Sequence, residues 1–210
     1  MSSDKWTTKE VADYLRVSEK TVEDWARNGQ LAGEQACDGW RFSRVAVEKF
    51  NQSGTFQPLF PTAILSRENV VVVENAEKNA ILQALIDSLA GSPMVKSKEE
   101  LQDGIFHREQ LMSTGIGMEI GIPHVRIGSV KDVILAAALV RQGVADYEAL
   151  DSRPVKLIFM IVARKEQHDQ HLKLLALISS RLKDESYRQA LIGCPDADAF
   201  HALLTAGRGC

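Results

Sequence analysis

Cysteine is scarce in this chain of 210 residues: Cys37, Cys194 and Cys210 are odd in number, far apart and form no Cys-x-x-Cys pair. That fits the reduced thiols of a cytoplasmic protein better than a disulfide framework or a cysteine zinc site. Long apolar runs are absent too. None approaches the roughly 18 residues of a membrane span, so no membrane insertion is expected. The opening residues, Met-Ser-Ser-Asp-Lys-Trp, lack the apolar core of a secretory signal. Neither sign of charge dominates: 25 Lys and Arg face 28 Asp and Glu, and the net −3 predicts no general affinity for polyanions. There is no internal repeat and no low-complexity tract. The Gly-x-Gly of residues 115–117 is not a dinucleotide fingerprint, because its third glycine is displaced and no acidic ribose partner follows at the expected distance. His124, His168 and His171 have no cysteine or carboxylate at ligand spacing, so neither a metal nor a cofactor is expected.

What is present divides near residue 55. Asn51–Pro58 carries linker chemistry, and the patterning differs on its two sides. The expected organisation is a small domain over 1–53, a linker over 54–59 and a larger domain over 60–210. In the small domain, Thr7 and Glu10 read as a capping box before an apolar stripe of Val11, Ala12 and Leu15. Ser18 is a natural N-cap for a second helix with Val22, Trp25 and Ala26 facing inward, and Gly29 suits its end. Gly39-Trp-Arg-Phe42 reads as a tight ribbon or wing, after which Ser43 caps a third helix. Trp6, Trp25 and Trp40 read as packing groups.

The segments TTKEVADYLRVSEKTVEDWARNGQL and GWRFSRVAVEKF resemble the winged helix-turn-helix of excisionase and MerR-like proteins. That resemblance implies a second helix entering the DNA major groove with Lys20, Thr21 and Arg27, and Arg41 reaching phosphate or the minor groove. Charge argues the other way. Residues 1–53 hold four Lys and four Arg against four Asp and five Glu, a net −1, and Glu19, Glu23 and Asp24 lie on the reading helix.

From Leu59 onward helices and strands alternate. Val70–Val73 is a short β-branched strand, Asn79–Leu89 has helical spacing and ends near Gly91, and Val133–Val140 and Val155–Val162 are apolar runs suited to covered central strands. His171–Leu182 carries apolar residues at 172, 174, 175, 178 and 182, an amphipathic helix, and Ala197–Leu204 forms a last one. The sum is an α/β fold, a mixed-sheet α/β sandwich preceded by a small winged helix-turn-helix domain.

The most informative stretch is Ser113-Thr-Gly-Ile-Gly-Met-Glu-Ile-Gly-Ile-Pro-His124. Glycines allow close main-chain approach, and Pro123 stiffens the backbone just before His124. A rigid imidazole paired with a second, His171, at the start of a helix is what reversible phosphorylation of histidine needs. The segments HREQLMSTGIGMEIGIPHVR and HLKLLALISSRLKD, in this order and spacing, resemble the enzyme IIA domain of the fructose, mannitol and nitrogen-regulatory branch of the bacterial phosphotransferase system.

By that resemblance His124 accepts a phosphoryl group on Nε2 from HPr or a nitrogen-branch HPr-like carrier, with Nδ1 held by a main-chain carbonyl. His171 is the second active-site histidine and hydrogen-bonds the phosphoryl oxygens. Arg108, sixteen residues before His124, is the active-site arginine. The amides of Gly115, Ile116 and Gly117 add phosphate donors. One position departs from the family: where Asn or Glu is usual six residues before the nucleophile, this chain has Met118, followed by Glu119. Arg126 is a candidate for phosphate or for an acidic partner, and His107, His168 and His201 read as surface or structural residues. A phosphate-loop segment of the IIB kind is not found. The expectation is therefore a nitrogen-regulatory IIA carrier joined to a DNA reader; the alternative is a sugar-transport IIA that passes phosphate to a IIB domain and uses its N-terminal domain as a docking adaptor.

Overall fold

The structure, a computed structural model, describes residues 5–15, 19–27, 31–36, 39–52 and 59–206. Packing divides the chain into two units, Met1–Leu59 with Asp184–Cys210 and, separately, Phe60–Lys183. The division expected from the sequence places 184–210 with the larger domain instead. Ser18, Gly29, Cys37, Cys210 and the linker residues 53–58 lie outside the described residues.

In the first unit, β1 (Lys5–Thr7) leads into α1 (Thr8–Leu15) through the expected capping box. The Glu10 carboxylate accepts the Thr7 N–H at 2.7 Å, and the Thr7 hydroxyl accepts the Glu10 N–H at 3.2 Å. These donors hold the Glu10 carboxyl below its ordinary range. Next come α2 (Glu19–Arg27), β2 (Gly33–Ala36), β3 (Gly39–Ser43) and α3 (Arg44–Gln52), so Asn51 and Gln52 are helical rather than linker. The expected ribbon is the β2–β3 pair, to which β1 adds an unpredicted third strand in the order β1-β3-β2, all antiparallel. Gly33 is required there, because a Cβ would stand 2.6 Å from the Phe42 ring. Val11, Leu15, Val22, Trp25, Phe42 and Val47 form the core, with Trp25 and Phe50 in ring contact at 5.1 Å.

The larger unit is organised by a sheet in the order β4-β8-β9-β6-β5, with β7 also paired to β9. Its elements are β4 (Val70–Val73), α4 (Lys78–Ala90), α5 (Lys98–Leu111), β5 (Gly115–Gly117), β6 (Ile120–Gly121), β7 (His124–Ile127), β8 (Ile134–Val144), β9 (Val155–Arg164) and α6 (His168–Arg181). β8 and β9 are antiparallel, while β4 runs parallel to β8 and both β6 and β7 run parallel to β9. The two apolar runs expected as central strands are these two, and both of their faces are covered. Ala136, Ala138, Ile158, Met160 and Val162 pack in one cluster with Ile81, Leu85, Leu101 and Ile105 of α4 and α5. The alternate positions carry Phe159, whose ring lies 6.0 Å from that of Phe60. In α6, Leu174 and Ile178 are buried, whereas Leu172 and Leu177 are exposed, so the apolar stripe is narrower than the sequence suggests.

The remaining helices, α7 (Glu185–Ile192) and α8 (Ala197–Ala206), belong to the first unit. Asp184 caps α7 by accepting the Ser186 and Tyr187 amides, and the Leu59 N–H donates to Leu204 O at 2.7 Å. Phe159→Ala in the fully buried centre of β9 is expected to cost about 3–5 kcal/mol by urea unfolding. Val45→Ala, on the exposed face of α3, is expected to change stability by less than about 0.5 kcal/mol.

Candidate active site

A broken strand positions His124. β6 and β7 would be one continuous partner of β9 but for Ile122 and Pro123 between them. Proline has no N–H to donate, so pairing lapses there, although the Pro123 carbonyl still accepts the Ile161 N–H at 2.9 Å. Ile122 bonds on the side of the strand away from β9, beside β5. Its N–H donates to Thr114 O at 3.0 Å, and its carbonyl lies 2.7 Å from His124 Nδ1. A carbonyl can only accept, so Nδ1 carries the hydrogen and Nε2 of the neutral ring carries the lone pair.

The His124 and His171 rings face one another, with centroids 5.3 Å apart and planes at 55°. His124 is half-buried; His171 is 6% exposed, and its Nδ1 has no hydrogen-bond partner among the described residues. Burial holds His124 below the ordinary histidine value. The Arg108 charge pushes the same way, against the Ile122 hydrogen bond and Glu109. For His171 burial is again the main cause, joined by His124, Arg126 and His168, and it brings the pKa down to about 4. Both rings are therefore neutral near pH 7.

His171 does not begin its helix. Helix α6 starts at His168, and the His171 N–H is already bonded to Gln167 O at 3.1 Å, so this amide is not offered to a ligand. The boundary escaped the sequence because Gln167 precedes the helix with no side-chain cap. Arg108 projects from the last turn of α5, a helix that periodicity did not reveal, and its Nη1 donates to Met112 O at 2.8 Å. It stands close enough to His124 for its charge to be felt there.

Gly115, Ile116 and Gly117 form β5, paired antiparallel with β6 through an irregular register. Gly115 is needed for packing, because a Cβ would lie 2.2 Å from Glu148 O; its N–H is 3.5 Å from Ser113 Oγ, at the limit of a hydrogen bond. Gly117 has φ +85° beside the Asp151 carboxylate.

Residues 63–207 match the family described as "Phosphoenolpyruvate-dependent sugar phosphotransferase system, EIIA 2". The chain belongs to this family. Residues 7–54 match a helix-turn-helix domain family. The fructose-specific EIIABC component of Bacillus subtilis (strain 168) is 32% identical over 68% of this chain, although the match spans only 22% of that longer protein. A nitrogen regulatory protein of Bradyrhizobium diazoefficiens is 31% identical over 69% of this chain and 90% of its own length. The crystal structure of nitrogen regulatory protein IIA-Ntr from Neisseria meningitidis aligns with TM-score 0.61 and 29% identity, covering 68% of this chain and 97% of that one. The protein is thus a type 2 IIA phosphoryl carrier by family, joined to a helix-turn-helix domain. Among the described residues, no helix is long and apolar enough to cross a membrane.

The departure at residue 118 has a structural outcome in this IIA protein. Met118 and Glu119 form the β5–β6 turn with φ 56° and 66°, left-handed values that favour Gly and Asn. Glu119 does not reach toward His124. Its carboxylate pairs with Lys156 Nζ at 2.7 Å, its carbonyl accepts the Lys156 and Leu157 amides, and Asp151 accepts the Met118 N–H at 2.7 Å. Arg126 is exposed and donates to Lys165 O at 3.1 Å. His107 and His168 are exposed, and His201 is partly so.

Of the helix-turn-helix candidates, Lys20 is exposed on α2, and the Thr21 side chain lies outside the described residues. Arg27 pairs with Glu23 one turn earlier at 3.1 Å. Arg41 lies in the expected ribbon. It lies half-buried on the central strand β3, between Thr7 and Glu34 in register, and donates to Trp40 O at 3.0 Å.

Missed at the sequence level were Lys78, Glu109, Thr114 and Tyr147, a buried polar cluster behind the glycine loop. The available signal was a carboxylate on an apolar stripe: Leu101, Ile105 and Glu109 follow one another at helical spacing.

Histidine titration by NMR is expected to place both rings below 6.5, with His171 near 4. Because the folded values are depressed, the stability they contribute is complete above pH 6.5 and is lost as pH falls through the lowered values. A midpoint at or above 6.5 for His124 would contradict the buried geometry. Met118→Asn is expected to raise stability by about 1 kcal/mol in thermal melting, by relieving the left-handed turn.

Proposed function

We propose that His124 Nε2 is the phosphoryl acceptor of a nitrogen-regulatory type IIA protein, charged by an HPr-like phosphohistidine donor. The observation that carries this reading is the Nδ1–H bond to Ile122 O in a ring kept neutral by burial. The Nε2 lone pair attacks phosphorus in line as the donor's P–N bond breaks, and the donor imidazole leaves with the bonding pair. Both ends of the exchange are imidazoles, so transfer is close to thermoneutral, and positioning with charge stabilisation does the work. Arg108 supplies a fork for the phosphoryl oxygens. His171 supports the group from the facing ring. Leu111 and Met112, each 70% exposed at the end of the arginine's helix, give an incoming carrier an apolar foothold.

The N-terminal unit acts as a DNA-binding regulator in this reading, supported by its helix-turn-helix family, and the phosphorylation state of His124 tunes it. The fructose-specific relative at 32% identity favours a second reading, a transport IIA that hands phosphate to a IIB domain. Incubation with labelled phosphoenolpyruvate, enzyme I and HPr is expected to label the wild type and leave His124→Ala unlabelled. Rapid onward transfer to a sugar-specific IIB would select the transport reading. Equal genomic-fragment binding by the wild type, His124→Ala and the phosphorylated form would remove the regulatory one.

A further inference from the structure

Glu109 sits where an apolar residue is expected, one turn beyond Ile105 on α5, and is only 7% exposed. A buried carboxylate is costly unless donors meet its lone pairs. Here Oε1 accepts the Thr114 N–H at 3.0 Å and the Lys78 ammonium at 3.0 Å, and Oε2 accepts the Thr114 hydroxyl at 2.7 Å. Thr114 thereby commits its one hydroxyl hydrogen to Glu109. The 2.7 Å contact between the Thr114 and Tyr147 hydroxyls must then have Tyr147 as donor. Burial, aided by the Glu109 charge, pushes the Tyr147 phenol well above its ordinary value, so it keeps that hydrogen. Lys78 Nζ lies 4.8 Å from the Tyr147 ring centroid, and the Lys78 N–H is held by Asp146 at 2.9 Å.

Thr114 is the joint of this cluster. Its carbonyl accepts the Ile122 N–H at 3.0 Å, and the Ile122 carbonyl holds His124 Nδ1 at 2.7 Å. Lys78, Glu109, Thr114, Ile122 and His124 are therefore linked by successive contacts of 2.7–3.0 Å. Tyr147 also braces the segment from behind, since a Cβ on Gly121 would stand 3.1 Å from its ring.

The geometry points to Glu109 as a positioning residue for His124: through Thr114 it sets the orientation of the Ile122 carbonyl, and so which imidazole nitrogen presents a lone pair. Lys78 neutralises it and Tyr147 completes its hydrogen-bond chain. The inference rests on His124 being the acceptor, but its readout does not depend on phosphate. The charged or titratable groups acting on His124 are Arg108 and Glu109, with His171 facing it.

The test uses the full chain labelled at histidine nitrogens, with Glu109→Gln, Thr114→Val and the conservative Thr114→Ser. Ring nitrogen shifts should report one Nδ1–H tautomer in the wild type and in Thr114→Ser. Glu109→Gln and Thr114→Val should show a mixture, and Glu109→Gln a lower titration midpoint, because the anion that raises it is gone. Phosphate uptake from HPr should fall about tenfold or more in these two variants, as expected for a displaced nucleophile. Folded Thr114→Val and Glu109→Gln with wild-type tautomer and uptake would overturn the proposal and leave Glu109 as a structural ion pair. A wild type that shows the single tautomer yet takes no phosphate would instead defeat the acceptor reading and leave the positioning of the ring standing.

Discussion

The hydrogen bond from His124 Nδ1 to the Ile122 carbonyl is the constraint on which the site depends. A neutral imidazole has one donor nitrogen and one acceptor, and whichever is engaged decides what the other can do. Here the carbonyl two residues back takes the donor role of Nδ1 and leaves Nε2 for chemistry. Ile122 can offer that carbonyl because its backbone groups face away from β9, and the Thr114 N–H that lies opposite is taken by the Glu109 carboxylate. Burial in the same place keeps the ring uncharged.

The sheet makes this local arrangement rigid. β9 is buried along nearly its whole length and carries β8 on one side and the interrupted β6–β7 strand on the other. His124 lies opposite Ile161 in register, and α6 then brings His171 to within ring contact. His124 is therefore seated directly beside the most deeply buried strand of the unit while His171 rides on a helix, a rigid-element arrangement that suits the nucleophile role proposed for His124.

Much of this was legible in the residues, for reasons that differ by element. β8, β9 and α4 announce themselves because burial on a face demands uninterrupted or regularly spaced apolar side chains. The capping box of Thr7 with Glu10 is legible because a hydroxyl and a carboxylate three apart have a local geometric meaning; Ser97, which caps α5 by accepting the Glu100 N–H, stands in the same pattern with Glu100, but that carboxylate goes to the Gly128 N–H instead. Helix α5 was obscured by Gly104 and Glu109 within its buried stripe, and β5 to β7 by their length of two to four residues. The glycine loop drew attention to phosphate, yet Gly115 answers first to the backbone at Glu148. Arg41 was read from a ribbon motif that says nothing of a third strand; β1 pairs with β3 and encloses it. Long-range pairing and buried polar partners are set by neighbours distant in sequence, which no local pattern encodes.

The parallel pairing of His124 with Ile161 also orders events in time. A chain leaving the ribosome exposes its histidine well before β9 has been made, and until then the β6–β7 segment has no platform to lie on. In the role proposed for His124, competence for exchange arrives only with the completion of β9. On that proposal an unfinished chain is kept from taking phosphate before its site is built.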